Sequence, residues 1–305
     1  MVDKTLIRPT AVGLYLNVPP HLKSRHATRL VRGTAQRIQL ESHLAAVGDI
    51  HSRPGAGQSG PPRGGMAELS KTDNLSTIPG VPYSVHVLRE GYCYKDSDNH
   101  THADGTVTLL LSVPGEAERP CAILVDTGGP WAKEELITSL QRTVQGCVQQ
   151  SLAPSDVLRL VHTVVCTHGH SDHAGNVGLF PHARIIMGFD VSQGDLYETH
   201  GLAEGKAYVI NPYVQVIPTP GHTCSDVSVV VRDTSVGTVV VAGDVFERSD
   251  DDDDWKEHSH DPVTQQISRS KVASLADVII PGHGPPFRVM NSPAATAATL
   301  TLKPH

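Results

Sequence analysis

Three imidazoles and a carboxylate fall within six positions in Cys166-Thr167-His168-Gly169-His170-Ser171-Asp172-His173. Donors packed this densely point to metal coordination. In an extended loop, side chains two apart point the same way, so His168 and His170 can share one ion. The chain then turns, and Asp172 and His173 can face a second. The preceding residues 163–166 read as a buried strand, and residues 172–176 as the start of a helix.

Three more side chains have the same setting, an apolar strand followed by a turn of small residues. They are His222 after Pro218-Thr219-Pro220-Gly221, Asp244 after Ala242-Gly243, and His283 after Pro281-Gly282. Five histidines and two aspartates suit zinc, and ligand type leaves iron and manganese open. His86, on an alternating strand, reads as a surface or satisfied core histidine. His200, His258 and His260 read as surface residues, and Cys166 and Cys224 as small packed thiols.

The elements that must place these groups alternate along the chain. Residues 83–88, 106–111 and 121–125 have strand patterns, and the last ends in Asp126-Thr127-Gly128-Gly129-Pro130. A helix is expected from Trp131 towards Val148. Short strands follow at 184–187, 208–210 and 214–217, then a hairpin from 227–231 and 238–241. A helix over about 262–275 leads to a strand at 278–280. This order predicts an α/β fold with two sheets, its candidate ligands lying just past strand ends.

Composition narrows the function. The net charge of −7 hides an asymmetry: residues 1–65 carry nine Lys or Arg against three acidic residues, a net of +6, which leaves −13 for the remainder. A field of that sign does not draw in polyanions, so nucleic acid would need a local basic patch or the metals. Five cysteines without paired spacing point to a reducing compartment. No run approaches the ~20 apolar residues of a membrane span, and the N-terminus has no secretory pattern. The Arg-rich, Gly/Pro-rich beginning resembles a transit segment, and Met66-Ala67-Glu68-Leu69 reads like a start site. Residues 1–78 are therefore expected to be a disordered or non-native extension, 79–290 the folded domain and 291–305 a flexible tail.

Together the motifs resemble the metallo-β-lactamase superfamily across about residues 80–288. The resemblance implies an αββα sandwich, two mixed sheets flanked by helices, with a dinuclear site at one edge. It also implies that His168, His170 and His222 hold one zinc ion, that Asp172, His173 and His283 hold another, and that Asp244 bridges them. Asp126 matches the family's early Asp-Thr-Gly element, which supports the site rather than binding metal. The phrases around Asp126, His168, Asp244 and His283 are closer still to one group within the family. That similarity implies a homodimeric endoribonuclease of the cytosol and nucleus that processes histone pre-mRNA 3′ ends.

Asp172 is expected to have a second, catalytic role as the acceptor that orients the attacking water-derived nucleophile. As the resemblance implies, lactamases of the family often carry Cys at the Asp244 position, whereas phosphodiester and thioester hydrolases carry Asp. Only 38 residues separate Asp244 from His283, too few for the inserted domain of the RNA-processing relatives, and only 22 follow His283, too few for the helical domain of glyoxalase II. The leading expectation is a metal-dependent endoribonuclease acting on RNA. The alternatives are a small-molecule thioester or ester hydrolase and a small-molecule-binding protein that retains the site. The acidic run Asp250–Asp254 is expected to be a solvated face.

Overall fold

A computed structural model describes residues 75–112 and 120–290; the expectations for the basic N-terminal segment and the tail after 290 lie outside those residues. The described fold begins slightly earlier than expected, because β1 (Thr77–Ile78) pairs with β2 (Tyr83–Arg89). β3 (Tyr92–Lys95) and β4 (Thr101–Asp104) form a separate two-stranded sheet that the polar sequence there did not announce. Next come β5 (Val107–Ser112), β6 (Cys121–Val125), β7 (Val161–Cys166), β8 (Arg184–Met187), β9 (Asp190–Gln193) and β10 (Leu196–Tyr197). They complete an eight-stranded sheet in the order β1-β2-β5-β6-β7-β8-β9-β10, parallel at β6–β7 and β7–β8. The crossover from β6 to β7 carries α1 (Lys133–Val148) and α2 (Pro154–Leu160).

The second sheet has six strands in sequential order: β11 (Tyr208–Asn211), β12 (Val214–Pro218), β13 (Val227–Thr234), β14 (Gly237–Gly243), β15 (Val278–Pro281) and β16 (Phe287–Arg288). β14 and β15 are parallel, and their crossover includes α4 (Pro262–Leu275). Proline fits the first position of α4 because its missing N–H would have no partner there. Asp261 caps the helix, its side chain accepting from the amides of Val263 and Thr264, each at 3.1 Å.

Alternation along the strands sorts the apolar residues into three layers. Leu110, Ile123, Val125 and Val165 of the first sheet meet Val229, Val231, Val239, Val241 and Ile280 of the second. Leu109, Leu111, Leu124 and Val164 point the other way, onto Leu136, Leu140 and Val144 of α1. Val240, Ala242 and Ile279 lie against Val272 of α4. The result is a helix–sheet–sheet–helix sandwich, as the resemblance implied. Each fully buried Leu, Ile or Val contributes about 1.5–3 kcal/mol, and this core fixes the register of the strands whose ends bear the site.

Two expectations need correction. The acidic run is not simply a solvated face: Asp251 is fully buried and makes a bidentate pair with Arg269 at 2.7 and 2.8 Å. The Arg269 guanidinium lies between the rings of Phe246 and Trp255, 4.1 and 4.8 Å from their centroids, so the run is anchored to α4. Cys224 is exposed rather than packed, whereas Cys166 is buried, and all five cysteines are free.

Candidate metal centre

Five chain segments leave their strands at the same edge. β6 runs into Asp126, β7 into His168, β12 into the loop bearing His222, β14 into Asp244 and β15 into His283. The expected helix at Asp172 is the single turn α3 (Ser171–Ala174), with His170 at its N-cap position. That turn places His168 and His170 on one side and Asp172 and His173 on the other. Close approach there demands glycine: a Cβ on Gly282 would overlap the Asp244 carboxylate.

All seven candidate ligands come together. His170 Nδ1 lies 2.9 Å from His168 Nε2 and 3.1 Å from His222 Nε2, and Asp244 Oδ2 lies 3.2 Å from that same His222 atom. Across the carboxylate, Asp244 Oδ1 is 3.0 Å from His173 Nε2, and Asp244 Oδ2 is 3.3 Å from His283 Nε2. Asp172 Oδ2 sits 3.7 Å from both His173 Nε2 and His283 Nε2. Asp244 thus stands between two clusters, each of a size to hold an ion. His170 is exposed at the mouth, while His168, His173, His222 and His283 are buried.

The ring nitrogens fit metal ions. Imidazole nitrogens converge at contact distance, and each such pair shares at most one hydrogen, so a cation is what satisfies the remaining lone pairs. Groups behind the rings set which nitrogen faces inward. Nδ1 of His173 donates to Asp126 Oδ2 at 2.9 Å, and Nδ1 of His283 donates to the Asp104 carbonyl at 3.2 Å, leaving both Nε2 atoms for the site. Asp126 is therefore a support, and its carboxylate also accepts from the amide and hydroxyl of Thr167 at 2.7 and 2.9 Å. His86 stands apart from the centre, against Ser84 Oγ at 2.8 Å.

Electrostatics bind the groups together. Burial, with His173 next, pushes the His168 pKa well below the usual histidine value. For His283 burial also acts downwards, but the Asp244 carboxylate outweighs it and lifts the value to about 9. Burial alone would raise Asp244, yet His173, His283 and His168 hold it well below the usual carboxylate range.

Two acids of this region carried no sequence expectation. Glu247 is 4% exposed, joins Asp244 and His283 in a third donor group, and is lifted to about 8 by burial and then by Asp244. Asp104 accepts from Gly129 N at 2.8 Å and Trp131 Nε1 at 2.7 Å and pairs with Arg89 at 2.6 Å, bracing the loop behind His283. In sequence Glu247 looks like the first member of an acidic stretch, and Asp104 sits in a polar segment without periodicity.

A family model described as the metallo-β-lactamase superfamily matches residues 121–211. Metallo-β-lactamase domain-containing protein 1 of Xenopus laevis is 48% identical over 217 residues, covering 70% of this chain and 85% of that protein. The Homo sapiens protein of the same name is 46% identical over 236 residues, again 70% of this chain and 85% of its own length. Among solved structures, the metallo-β-lactamase FIM-1 from Pseudomonas aeruginosa aligns with a TM-score of 0.43 and 18% identity, over 75% of this chain and 96% of that one. The chain belongs to the metallo-β-lactamase superfamily, and its donor clusters are those of a metal-dependent hydrolase.

Proposed function

We propose that this chain is an endoribonuclease that cleaves RNA phosphodiesters with two zinc ions per chain. The observation that carries the dinuclear part is Asp244, one carboxylate in contact with both clusters: Oδ2 lies 3.2 Å from His222 Nε2 and 3.3 Å from His283 Nε2, and Oδ1 lies 3.0 Å from His173 Nε2. Bound there, two divalent ions would acidify a water and draw negative charge from the attacked group. The chain's own residues do the rest. Asp244 would hold the clusters at a fixed separation, and half-buried Asp172 would accept the hydrogen bond that orients the nucleophile.

Support for RNA comes from the neighbouring cleft of about 410 Å³, lined by Cys93, Tyr94, Lys95, Thr101, Arg248, Asp254, Glu257 and His258. It adjoins the centre, because Arg248 in its lining follows Glu247 and lies against Gly284, the residue after His283. Exposed Tyr94 stacks on His102 with centroids 5.2 Å apart, a platform suited to an unpaired base, and Lys95 and Arg248, paired here with Glu257 and with Asp250 and Asp254, would have to exchange those carboxylates for its phosphate. On this reading the protein acts as a homodimer in the cytosol and nucleus on histone pre-mRNA 3′ ends, the role implied by its likeness to one group of the family. Among the described residues no helix is long and apolar enough to cross a membrane.

The cleft's volume also favours a second reading, a hydrolase of small thioesters or esters, since it falls within the ~300–1,000 Å³ of small-molecule pockets. Purified protein and the His170→Ala variant, assayed on structured single-stranded RNA and on a thioester panel, decide between them. RNA cleavage lost in the variant supports the nuclease. Thioester turnover lost in the variant, with RNA untouched, replaces it with the second reading.

A further inference from the structure

Among the buried polar atoms at the centre that lack a hydrogen-bond partner are Nδ1 of His222 and Oε1 of Glu247. They face each other at 3.8 Å. The residues are 6% and 4% exposed, so solvent does little to satisfy either atom. Leaving such a group bare costs about 1–3 kcal/mol, and two of them aimed at one another mark a contact that closes with a small movement.

The histidine's chemistry says which contact. Nε2 of His222 faces the cluster, 3.1 Å from His170 Nδ1 and 3.2 Å from Asp244 Oδ2. A ring that gives Nε2 to an ion keeps its hydrogen on Nδ1 and needs an acceptor behind it. His173 has Asp126, His283 has the Asp104 carbonyl, and Nδ1 of His168 lies 3.2 Å from Thr167 Oγ1. Of these four buried rings, His222 alone has no outer partner within hydrogen-bond reach.

Glu247 is held where it can supply one. Its amide donates to Asp251 Oδ2 at 3.1 Å and its carbonyl accepts from the His283 amide at 2.8 Å, so the backbone is pinned while the carboxylate can still rotate. Closing from 3.8 Å to a charge-assisted bond of ~2.8 Å takes about 1 Å of side-chain motion. We infer that Glu247 is the outer carboxylate of His222, a positioning residue that accepts its Nδ1–H and aims Nε2 at the ion shared with His168 and His170. It is the counterpart of Asp126 behind His173. The turn after β14 therefore delivers both the shared carboxylate, Asp244, and the one that orients the ligand presented after β12, two strands away in the sheet. The other carboxylate oxygen, Oε2, is 3.8 Å from His283 Nε2, which offers direct ligation as the competing arrangement. His283 already has its outer partner, and this leaves His222 as the ring with a need.

The inference rests on metal occupancy of the centre and is independent of the substrate. Zinc affinities of the full chain, measured by chelator competition, test it with Glu247→Gln and Glu247→Ala in the wild-type and His283→Ala backgrounds. Acting through His222, the substitutions weaken one ion by about 10-fold for Gln and up to about 100-fold for Ala, equally in both backgrounds. The His222 Nδ1–H proton resonance of the zinc-loaded protein also shifts in Glu247→Gln, a readout that a general packing defect does not produce. Unchanged affinities, or an effect that disappears with His283→Ala, overturn the proposal, the latter in favour of direct ligation. A wild-type chain that binds no zinc removes the centre itself and the inference with it, whatever the substrate assays show. Matching thermal melts of the chelator-stripped proteins establish that the variants fold.

Discussion

Nδ1 of His173 donates to Oδ2 of Asp126 across 2.9 Å, joining the turns that follow two neighbouring parallel strands. Asp126 adopts a left-handed backbone, φ 59°, uncommon for a residue with a side chain. That conformation, with bonds to Thr167, brings its carboxylate beneath the histidine loop. Local strain is thus compensated by contacts that orient a ligand.

Asp126→Asn separates this role from packing, because asparagine tolerates the same backbone and fills the same space. An amide oriented to accept from His173 loses the charge, and one oriented to donate forces the wrong tautomer. Zinc affinity at the His173 cluster should fall about 10- to 100-fold, as read by chelator competition, with the fold retained by circular dichroism. Unchanged affinity would show that the carboxylate's charge is unimportant there.

Gly282→Ala tests the close approach of β15 to the shared carboxylate. The added methyl meets Asp244, whose position both clusters share, so relief requires moving a ligand or the strand end. A loss of about 1–3 kcal/mol in urea melts should accompany reduced metal content. Full metal content in the variant would mean that the loop yields rather than the carboxylate.

Arg269→Met addresses the anchor under the acidic loop. Asp251 is fully buried and Arg269 is 8% exposed, so removing the cation strands a charge, at a cost of about 3–5 kcal/mol. Converting Asp251 to Leu as well should return much of that loss, since both charges are then gone. Equal destabilisation in single and double variants would instead assign the effect to the lost stacking on Phe246 and Trp255.

The candidate ligands could be singled out in the sequence because each follows an apolar strand through a turn of small residues, a local pattern that survives without knowledge of the fold. The strand over Leu109, Leu110 and Leu111 was legible, but its unbroken apolar run did not say which residue faces which layer; the fold sends Leu110 to the sheet–sheet core and Leu109 and Leu111 onto α1. Glu247 and Asp104 were not legible, because their partners are distant in the chain; Asp104 serves His283 from 179 residues away. Asp251 was hidden by its neighbours: four adjacent acids read as solvated, and only the fold brings Arg269 to one of them. The β3–β4 hairpin lacks an apolar face, so no periodicity marked it.

The pH response of the metal-free protein follows from His283. Its value in the fold is about 9, above the ordinary 6.5, because Asp244 stabilises the imidazolium more than burial opposes it. A raised folded value means that the contribution to stability is complete below the unfolded value and is lost as pH climbs through the folded one. Chelator-stripped protein should therefore lose thermal stability between about pH 6.5 and 9, and His283→Asn should flatten that slope. Zinc changes the sign of the demand, since a ligand nitrogen must be unprotonated. Zinc binding should then release a proton from His283 at pH 7, and less at pH 9.5, as shown by calorimetry in buffers of different ionisation enthalpy. Proton release that is independent of pH would mean that this imidazole is already neutral before the ion arrives.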